Sequence, residues 1–363
     1  MRIYRWPALD HMLAMTDDVG ILQHATLDIP NRSCGYCTDD VGRALIVACE
    51  AAARPPIPYD GGASSAAATR LVTTYLAYLH DAQLDDGWFH NFMGYDRRWQ
   101  DHRGTPDAVG RAIWGLGYAE RLAPRETWRN IAGAMRRRAL GTIGTMEYVR
   151  SHAYAALGLV HALAARPDDE LLVRAVLDGS LERIAGAFDA HHASDWQWCE
   201  DALTYDNARL CEALLRGGAV LANERYVQVG LAMLEFYTSV VIDPAETMFV
   251  PIGNDGWYPR GGARSTRGQQ PLEAAAMVDA AFAALEVTGD PCWREVAEIA
   301  HEWYFGRNMR GVTLARDDGG CCDGLDDGGA NCNMGAESTL CYLMSAIAMA
   351  TRSMSTTTLR VVQ

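Results

Sequence analysis

The chain has 363 residues, with 46 acidic and 32 basic side chains, so its net charge is −14, and 49% of its residues are hydrophobic. This length suits two or three domains or one large closed architecture. The acidic surplus leaves no global basic field to attract phosphate groups, so nucleic acid and anionic membrane surfaces are not among the predicted partners.

Apolar residues recur at helical spacing along almost the whole chain, and Gly, Pro or Asp marks the breaks. No segment shows the long alternation of a β-strand. The pattern predicts twelve helices, over residues 7–18, 39–53, 64–82, 106–121, 125–140, 147–165, 169–189, 205–222, 224–239, 271–288, 291–306 and 335–352. Residues 353–363 are predicted to form a loosely ordered tail.

The predicted helices alternate between two kinds. One kind is small and apolar nearly all round, as helices enclosed by others are. It comprises the helices at 106–121, 147–165, 271–288 and 335–352. The other kind carries charge on one face, as exposed helices do, and comprises those at 125–140, 169–189 and 291–306. The alternation predicts six helical hairpins closed into one all-α domain, an (α/α)6 toroid over residues 1–352.

Every second predicted connection is long and rich in aromatic, acidic and glycine residues. An open solenoid of helix pairs, the competing fold, predicts short and uniform loops instead. Long loops in compact domains are usually functional. In a closed ring these connections run from an outer helix to the start of the next inner helix. They would meet at one mouth, and this mouth is the predicted active site.

A degenerate repeat ending in arginine opens three of the predicted helices. Its copies are Thr38–Arg43, Pro106–Arg111 and Thr204–Arg209. Part of the repeat is helix capping, because Asp or Thr at a helix start satisfies free N–H groups and stabilises by about 1 kcal/mol. Capping does not explain Asp39 beside Asp40, or Glu200 beside Asp201. The paired acids therefore indicate a site.

Tryptophans accompany these acids. Trp88, Trp196, Trp198 and Trp257 each lie beside Gly, Asp or Gln in a connection, rather than on an apolar helical stripe. They form either a hydrophobic lid over the ring or faces that stack on a ligand. Aromatic faces together with carboxylates suit sugar rings, which present C–H faces and hydroxyl groups. Carbohydrate is the predicted ligand.

Three segments carry a resemblance to a known group of proteins. They are GYCTDDVGRAL at 35–45, WCEDALTYDNARLCEALL at 198–215 and NMGAESTLCYL at 333–343. They resemble the six-hairpin glycosidase superfamily, in particular a bacterial branch of glycosidase-like (α/α)6 proteins associated with glycosyltransferases or mannoside phosphorylases. The resemblance covers nearly the whole chain. It implies cleavage of a glycosidic bond by two carboxyl groups across the toroid cavity.

Three carboxyls are the first candidates for catalysis. Asp40 is the second acid of a doublet, Asp201 closes an aromatic and acidic loop, and Glu337 follows a glycine turn where related hydrolases often keep a catalytic acid. An adjacent like charge raises a carboxyl pKa, without indicating which member of the pair is raised. The assignment of acid and base stays open.

The predicted substrate-binding residues are the other polar and aromatic side chains of the same connections. They are Asp39, Arg43, Trp88, His90, Asp107, His152, Trp196, Trp198, Glu200, Tyr205, Asp206, Trp257, Arg260, Gln270 and Glu273. No metal or cofactor is predicted. The sugar, the linkage, the stereochemical outcome and homo-oligomerisation stay open.

Other functions fit the same toroid. A sugar epimerase would use a histidine pair for proton transfer at carbon, with His152 as one member, but carboxylates outnumber histidines in the connections. A non-catalytic toroid would bind sugar for a glycosyltransferase encoded nearby. A phosphorylase would need an anion pocket, for which the acidic mouth offers few cations beyond Arg260, Arg264 and Arg267.

Cysteine usage and hydropathy bear on location. No apolar run reaches the roughly 20 residues of a membrane span, and the first residues lack the apolar stretch of a signal peptide. The Cys34–Cys37 pair and the cysteines at 321, 322 and 332 suggest zinc or redox chemistry, but no second ligand pair accompanies them. The chain has no lysine, which excludes Schiff-base chemistry and a P-loop. We expect a soluble, cytoplasmic protein without disulfides.

Overall fold

Helices dominate the structure, a computed structural model that describes residues 4–54 and 63–361. Twelve α-helices lie in the described residues, and each falls on a segment with helical spacing of apolar residues. They are α1 Asp10–Met15, α2 Thr38–Ala53, α3 Ala63–Ala82, α4 Pro106–Leu122, α5 Glu126–Ile143, α6 Val149–Ala164, α7 Glu170–His191, α8 Asn207–Leu221, α9 Glu224–Val241, α10 Pro271–Thr288, α11 Cys292–Glu302 and α12 Ala336–Val361.

The even-numbered helices form a closed inner ring. In this ring α2 contacts α4, α4 contacts α6, and the sequence of contacts continues through α8 and α10 to α12, which packs against α2. The odd-numbered helices lie outside, with α3 on α2, α5 on α4, α7 on α6, α9 on α8, α11 on α10 and α1 on α12. The contact between α12 and α2 excludes an open solenoid. The predicted (α/α)6 toroid is confirmed.

The two ends of the chain differ most from the predicted boundaries. Helix α1 is shorter than predicted and covers only Asp10–Met15. Helix α12 does not end at residue 352 but continues to Val361, through most of the segment predicted as a loosely ordered tail. Residues 362–363 lie outside the described part of the chain.

Short strands join the connecting loops, which the sequence did not predict because two or three residues show no alternation. In the described residues they are β1 Ala25–Thr26, β2 Ile29–Pro30, β3 Tyr36–Cys37, β4 Phe92–Met93, β5 Ala202–Leu203, β6 Ile242–Asp243, β7 Met248–Phe249, β8 Tyr258–Pro259, β9 Gly324–Asp326 and β10 Gly329–Asn331. All pairs are antiparallel. Pairs β3–β4 and β5–β8 join neighbouring connections, which fixes the loops above the ring.

Glycines let the inner helices approach closely. A Cβ atom on Gly117 would lie 2.0 Å from the carbonyl oxygen of Gly158, where α4 meets α6. A Cβ on Gly42 would lie 2.6 Å from the carbonyl oxygen of Arg111, where α2 meets α4. The glycine before the arginine in the first copy of the repeat therefore serves helix packing.

Replacing Gly117 with alanine should destabilise the protein by about 1–3 kcal/mol, because the new methyl group collides with a backbone oxygen that cannot move alone. Gly179 in α7 is the matched control, since a Cβ atom placed on it would have nothing within 4 Å. There alanine should stabilise by about 0.5–1 kcal/mol through its better helix propensity. Urea unfolding of both variants measures the difference, and equal stabilities would contradict the close approach of α4 and α6.

The described residues hold no helix with the length and apolarity that a membrane span requires. All ten cysteines are described, and all are free thiols. The Cys37 thiol is buried and donates a hydrogen bond to Asn91 Oδ1 at 3.3 Å, whereas Cys34 is half-buried. No group of three metal-ligating side chains occurs in the described part of the chain.

Candidate active site

A cavity of about 300 Å³ lies at the end of the ring where the inner helices begin. The first turns of α2, α10 and α12 form part of its wall. The loop before β1 contributes Gln23 and His24 to the wall. The polar side chains of the wall are Gln23, His24, Asp39, Asp40, Gln270, Asp323, Glu337 and Ser338. Four of these are carboxyl groups, so the predicted acidic mouth exists.

Arg43 joins two of the predicted catalytic carboxyls. Its Nη1 lies 2.7 Å from Asp40 Oδ1, and its Nη2 donates a hydrogen bond to Glu337 Oε2. Asp40 and Arg43 are buried, whereas the Glu337 side chain is 42% exposed to the cavity. Residues almost 300 positions apart thus meet because α12 closes the ring on α2.

The two carboxyls have opposite pKa shifts. Burial raises the pKa of Asp40 to about 7, although Arg43 opposes this effect. Burial also acts to raise the pKa of Glu337, but Arg43 and Arg111 outweigh it and lower the pKa below its usual value. Near neutral pH, Asp40 can therefore hold a proton while Glu337 is ionised.

A second arginine, Arg111, contacts several polar groups at the centre of the ring. Arg111 Nη1 lies 3.3 Å from Asp39 Oδ2, and Arg111 Nη2 donates to the Tyr154 hydroxyl at 2.8 Å. This hydroxyl in turn donates to Asp206 Oδ2 at 2.7 Å. Burial raises the pKa of Asp39, against the attraction of Arg111.

Several buried polar atoms of this network have no hydrogen-bond partner among the described residues. They are Oδ1 of Asp39, Oδ1 of Asp206 and Nε of Arg111. A buried polar atom without a partner costs free energy, so such atoms in a cavity are positions for water or ligand. Asp39 belongs to the cavity wall, so its Oδ1 can accept a hydrogen bond from a ligand hydroxyl, whereas Asp206 Oδ1 lies 3.6 Å from Arg209 Nε.

The Glu273 carboxyl binds neighbouring protein groups and so has a structural role. Its Oε1 accepts a hydrogen bond from the Asp206 backbone N–H, and its Oε2 accepts from the Tyr237 hydroxyl at 2.7 Å and from Asn207 Nδ2 at 3.3 Å. Burial raises its pKa to about 7. Asp206 has a φ of 51°, a left-handed conformation that is unfavourable for a residue with a Cβ. Glu273 holds this strained backbone in place.

Other predicted residues form the walls around this centre. Asp107 accepts hydrogen bonds from the hydroxyls of Ser151 and of Tyr205, the latter at 2.7 Å. Glu200 pairs with Arg150 at 2.7 Å, and Arg150 also donates to the Tyr205 carbonyl oxygen. These hydrogen bonds and this ion pair connect the segments at the starts of α4, α6 and α8.

Asp201 and two tryptophans lie apart from the cavity. The Asp201 side chain is exposed, and its carbonyl oxygen accepts a hydrogen bond from the Arg260 backbone N–H at the β5–β8 pair. Trp196 and Trp198 are buried in the core, with 3% and 0% of their surface exposed, so neither presents a ring face to a ligand. Trp196 Nε1 donates to the Glu200 carbonyl oxygen. The two tryptophan rings therefore pack in the core rather than face the cavity.

Trp88 and Trp257 are half-buried. The Trp88 ring lies 5.0 Å from the guanidinium of Arg103, a cation–π contact. The Trp257 ring lies 6.4 Å from that of Tyr205. Each keeps part of its surface available, in contrast to the two core tryptophans.

Neither predicted histidine lies in the wall of the cavity. His90 stacks on Trp99 and its Nδ1 lies 3.0 Å from Asp101 Oδ1. His152 Nε2 donates to the Met146 carbonyl oxygen at 3.2 Å, in a pocket between α5 and α7, and burial lowers its pKa. His152 faces the outer helices because it lies on the outer side of α6.

The arginines that an anion pocket would require already have protein partners. Arg260 donates to the His191 carbonyl oxygen at 2.9 Å. Arg264 donates to the carbonyl oxygens of Val240 and Val250. Arg267 forms ion pairs with Asp327 at 2.9 Å and with Asp255 at 3.5 Å.

Sequence reasoning missed several residues of the site. Arg111 stands in the arginine repeat beside Arg43, and this repeat was the signal that could have identified it. Asp323 accepts hydrogen bonds from Ser338 Oγ at 2.5 Å and from the Gly335 N–H at 2.7 Å, which positions the loop before Glu337. His24 comes from a loop with no distinguishing pattern.

Comparison with known proteins gives structural neighbours only. No family model and no curated protein sequence matches the chain. A sugar epimerase from a ruminal bacterium matches with a TM-score of 0.71 and 11% identity, covering 95% of each chain. Cellobiose 2-epimerase from Bacillus thermoamylovorans matches with a TM-score of 0.71 and 10% identity, again over 95% of each chain. The chain shares the (α/α)6 fold of these enzymes.

A hydrolase with this fold also matches. An α-mannanase of glycoside hydrolase family 76 from Bacteroides thetaiotaomicron has a TM-score of 0.61 and 10% identity, over 96% of this chain and 95% of the mannanase. Epimerases and a hydrolase thus share this fold. The choice between their reactions depends on the residues in the cavity.

Proposed function

We propose that this protein is a glycoside hydrolase in which Asp40 is the general acid and Glu337 is the ionised partner. The observation that carries the proposal is the pair of opposite pKa shifts on two carboxyls that share one cavity and one guanidinium. Acid/base cleavage of a glycosidic bond needs one protonated and one ionised carboxyl near neutral pH.

In this mechanism each residue has a distinct task. Asp40 gives its proton to the leaving glycosidic oxygen. Glu337, which is the more exposed of the two carboxyls, activates a water molecule or attacks the sugar carbon. Arg43 keeps Glu337 ionised and fixes both carboxyls. Asp39 lies in the cavity wall, and its unpartnered Oδ1 accepts a hydrogen bond from a sugar hydroxyl.

The side chains of the cavity support hydrolysis over the other reactions. A sugar epimerase of the predicted type needs a histidine pair, and in the described residues the cavity wall has one histidine, His24. Phosphorolysis needs cations for the anion, and Arg260, Arg264 and Arg267 are bound to other protein groups. Both observations favour water as the acceptor.

The direct test is incubation of the purified protein with a panel of neutral oligosaccharides, followed by measurement of new reducing ends. We expect reducing ends to appear without any added phosphate. Formation of an isomer without cleavage would contradict the proposal in favour of an epimerase. Tight sugar binding without turnover, on the same panel, would contradict it in favour of a binding protein.

The pH dependence of kcat/KM should be bell-shaped. Activity should fall about tenfold per pH unit above about pH 7, because Asp40 loses the proton that the leaving group needs. The acidic limb should lie below pH 4.5, because Glu337 has a pKa lower than that usual value. Initial rates at low substrate concentration measure both limbs. A rate that rises from pH 7 to pH 9 would contradict Asp40 as the acid.

A further inference from the structure

A second cavity, of about 450 Å³, lies at the opposite end of the ring, where the inner helices end. All six inner helices contribute to its wall, from Glu50 on α2 to Arg352 on α12. Arg209 separates it from the candidate active site, since its Nε lies 3.6 Å from Asp206 and its Nη1 lies 2.8 Å from Asp279. The two cavities are distinct sites.

Most charges in the wall of this second cavity are paired. Arg216 pairs with Glu212 at 2.8 Å and with Glu286 at 2.7 Å, and Glu286 also pairs with Arg352 at 2.8 Å. Asp279 is bound by Arg209. These pairs leave few positive groups to bind an anion.

Three polar groups of the wall differ from these paired charges, because they have no hydrogen-bond partner in the described residues. The Glu50 carboxyl, the Tyr118 hydroxyl and Nε2 of His161 form no hydrogen bond within the described residues. Arg121 Nη1 donates to His161 Nδ1 at 3.3 Å, so His161 is neutral and its Nε2 carries the hydrogen. The His161 ring stacks on Tyr118 with 3.6 Å between ring centroids. The charge of Glu50 acts on the Tyr118 hydroxyl, so the wall presents a carboxyl near this aromatic pair.

The field of the helices adds to this arrangement. The carbonyl ends of helices are negative, and acidic residues near them are unfavourable unless a positive charge is present. Glu50 lies in the last turn of α2, which ends at Ala53, and Glu286 lies in the last turn of α10, which ends at Thr288. Glu286 forms ion pairs with two arginines, whereas Arg121 and Arg352 act on Glu50 only through space, with no ion pair among the described residues.

We propose that this second cavity binds a small organic cation with an ammonium group. The ammonium would donate hydrogen bonds to Glu50 and to the Tyr118 hydroxyl, and its methylene groups would pack on the stacked rings of Tyr118 and His161. The site is independent of the proposed hydrolysis.

Calorimetric titration with 1,4-diaminobutane tests the site, with 1,4-butanediol as the neutral isostere. We expect saturable one-site binding of the diamine, none of the diol, and affinity about tenfold weaker in Glu50→Gln. The protein is acidic and attracts cations generally, so Glu246→Gln, an exposed acid in the β6–β7 turn, is the control for net charge and should bind like the wild type.

Three outcomes would overturn the proposal. They are equal diamine affinity in Glu50→Gln and the wild type, equal binding of the diol, and equal loss in Glu50→Gln and Glu246→Gln. If Glu50→Gln does not fold, Tyr118→Phe removes only a hydroxyl and should weaken binding at least threefold, and unchanged affinity there would overturn the proposal equally. Asp40→Asn should keep full diamine affinity, which separates failure here from failure of the proposed hydrolysis.

Discussion

Replacing Glu337 with glutamine should lower kcat for glycosidic cleavage by about 10²–10⁴-fold, because glutamine can neither activate water nor act as a nucleophile. Asp40→Asn should cause a loss of similar size on natural oligosaccharides, whose leaving groups need a proton. KM should change little, because neither change removes a main sugar contact of the proposed mechanism. Steady-state kinetics on a cleaved oligosaccharide from the panel measure both effects.

A substrate with a good leaving group separates the two roles. With a nitrophenyl glycoside of the same sugar, Asp40→Asn should recover most of its activity, because nitrophenolate leaves without protonation, whereas Glu337→Gln should not. Asp201→Asn is the matched control, since the Asp201 side chain is exposed and lies apart from Arg43. Full activity in Asp40→Asn on the oligosaccharide, or loss in Asp201→Asn alone, would contradict the assignment.

Replacing Arg209 with methionine should destabilise the protein by about 3–5 kcal/mol, because it leaves the buried Asp279 carboxyl without its ion-pair partner and removes one of the two partners of Glu212. Arg209 is 3% exposed and forms ion pairs with Glu212 at 2.5 Å and with Asp279 at 2.8 Å. Burial acts to raise the pKa of both acids, and Arg209 opposes it in each case. Urea unfolding measures the loss of stability.

The loss in Arg209→Met should be greater at pH 8 than at pH 5. Burial already raises the pKa of Asp279, and without the arginine this pKa rises further above its unfolded value, so the folded state loses more stability as pH rises. Arg225→Met is the control, since Arg225 is 43% exposed beside Glu182 and Asp189. It should cost less than about 1 kcal/mol at either pH. Equal losses of stability in the two variants would show that the buried ion pairs of Arg209 do not stabilise the ring.

Much of the candidate site could be predicted because it is local to helix starts. Asp40 and Arg43 are three residues apart on α2, so helical geometry alone brings them into contact. Glu337 begins α12 just as Asp39 and Asp40 begin α2, and a closed ring places helix starts at one end. The acidic mouth follows from this arrangement.

Two predicted residues lie outside the cavity because of the way their elements face the ring. His152 lies on an inner helix as predicted, but on the side that packs against α5 and α7. Trp198 lies in a polar loop, yet the loop folds back and buries it against Tyr237. Local composition does not indicate these orientations, because they are set by packing with distant segments.

The sequence by itself determined the alternation of enclosed and exposed helices, and with it the closed toroid, because helix periodicity records which faces must be buried. It also determined the acidic helix starts. Only the tertiary structure decided which carboxyls share a cavity, how burial and the two arginines Arg43 and Arg111 shift their pKa values in opposite directions, and that Asp201 lies outside the cavity. Burial and charge pairing depend on segments about 300 residues apart, and these meet only when the ring closes.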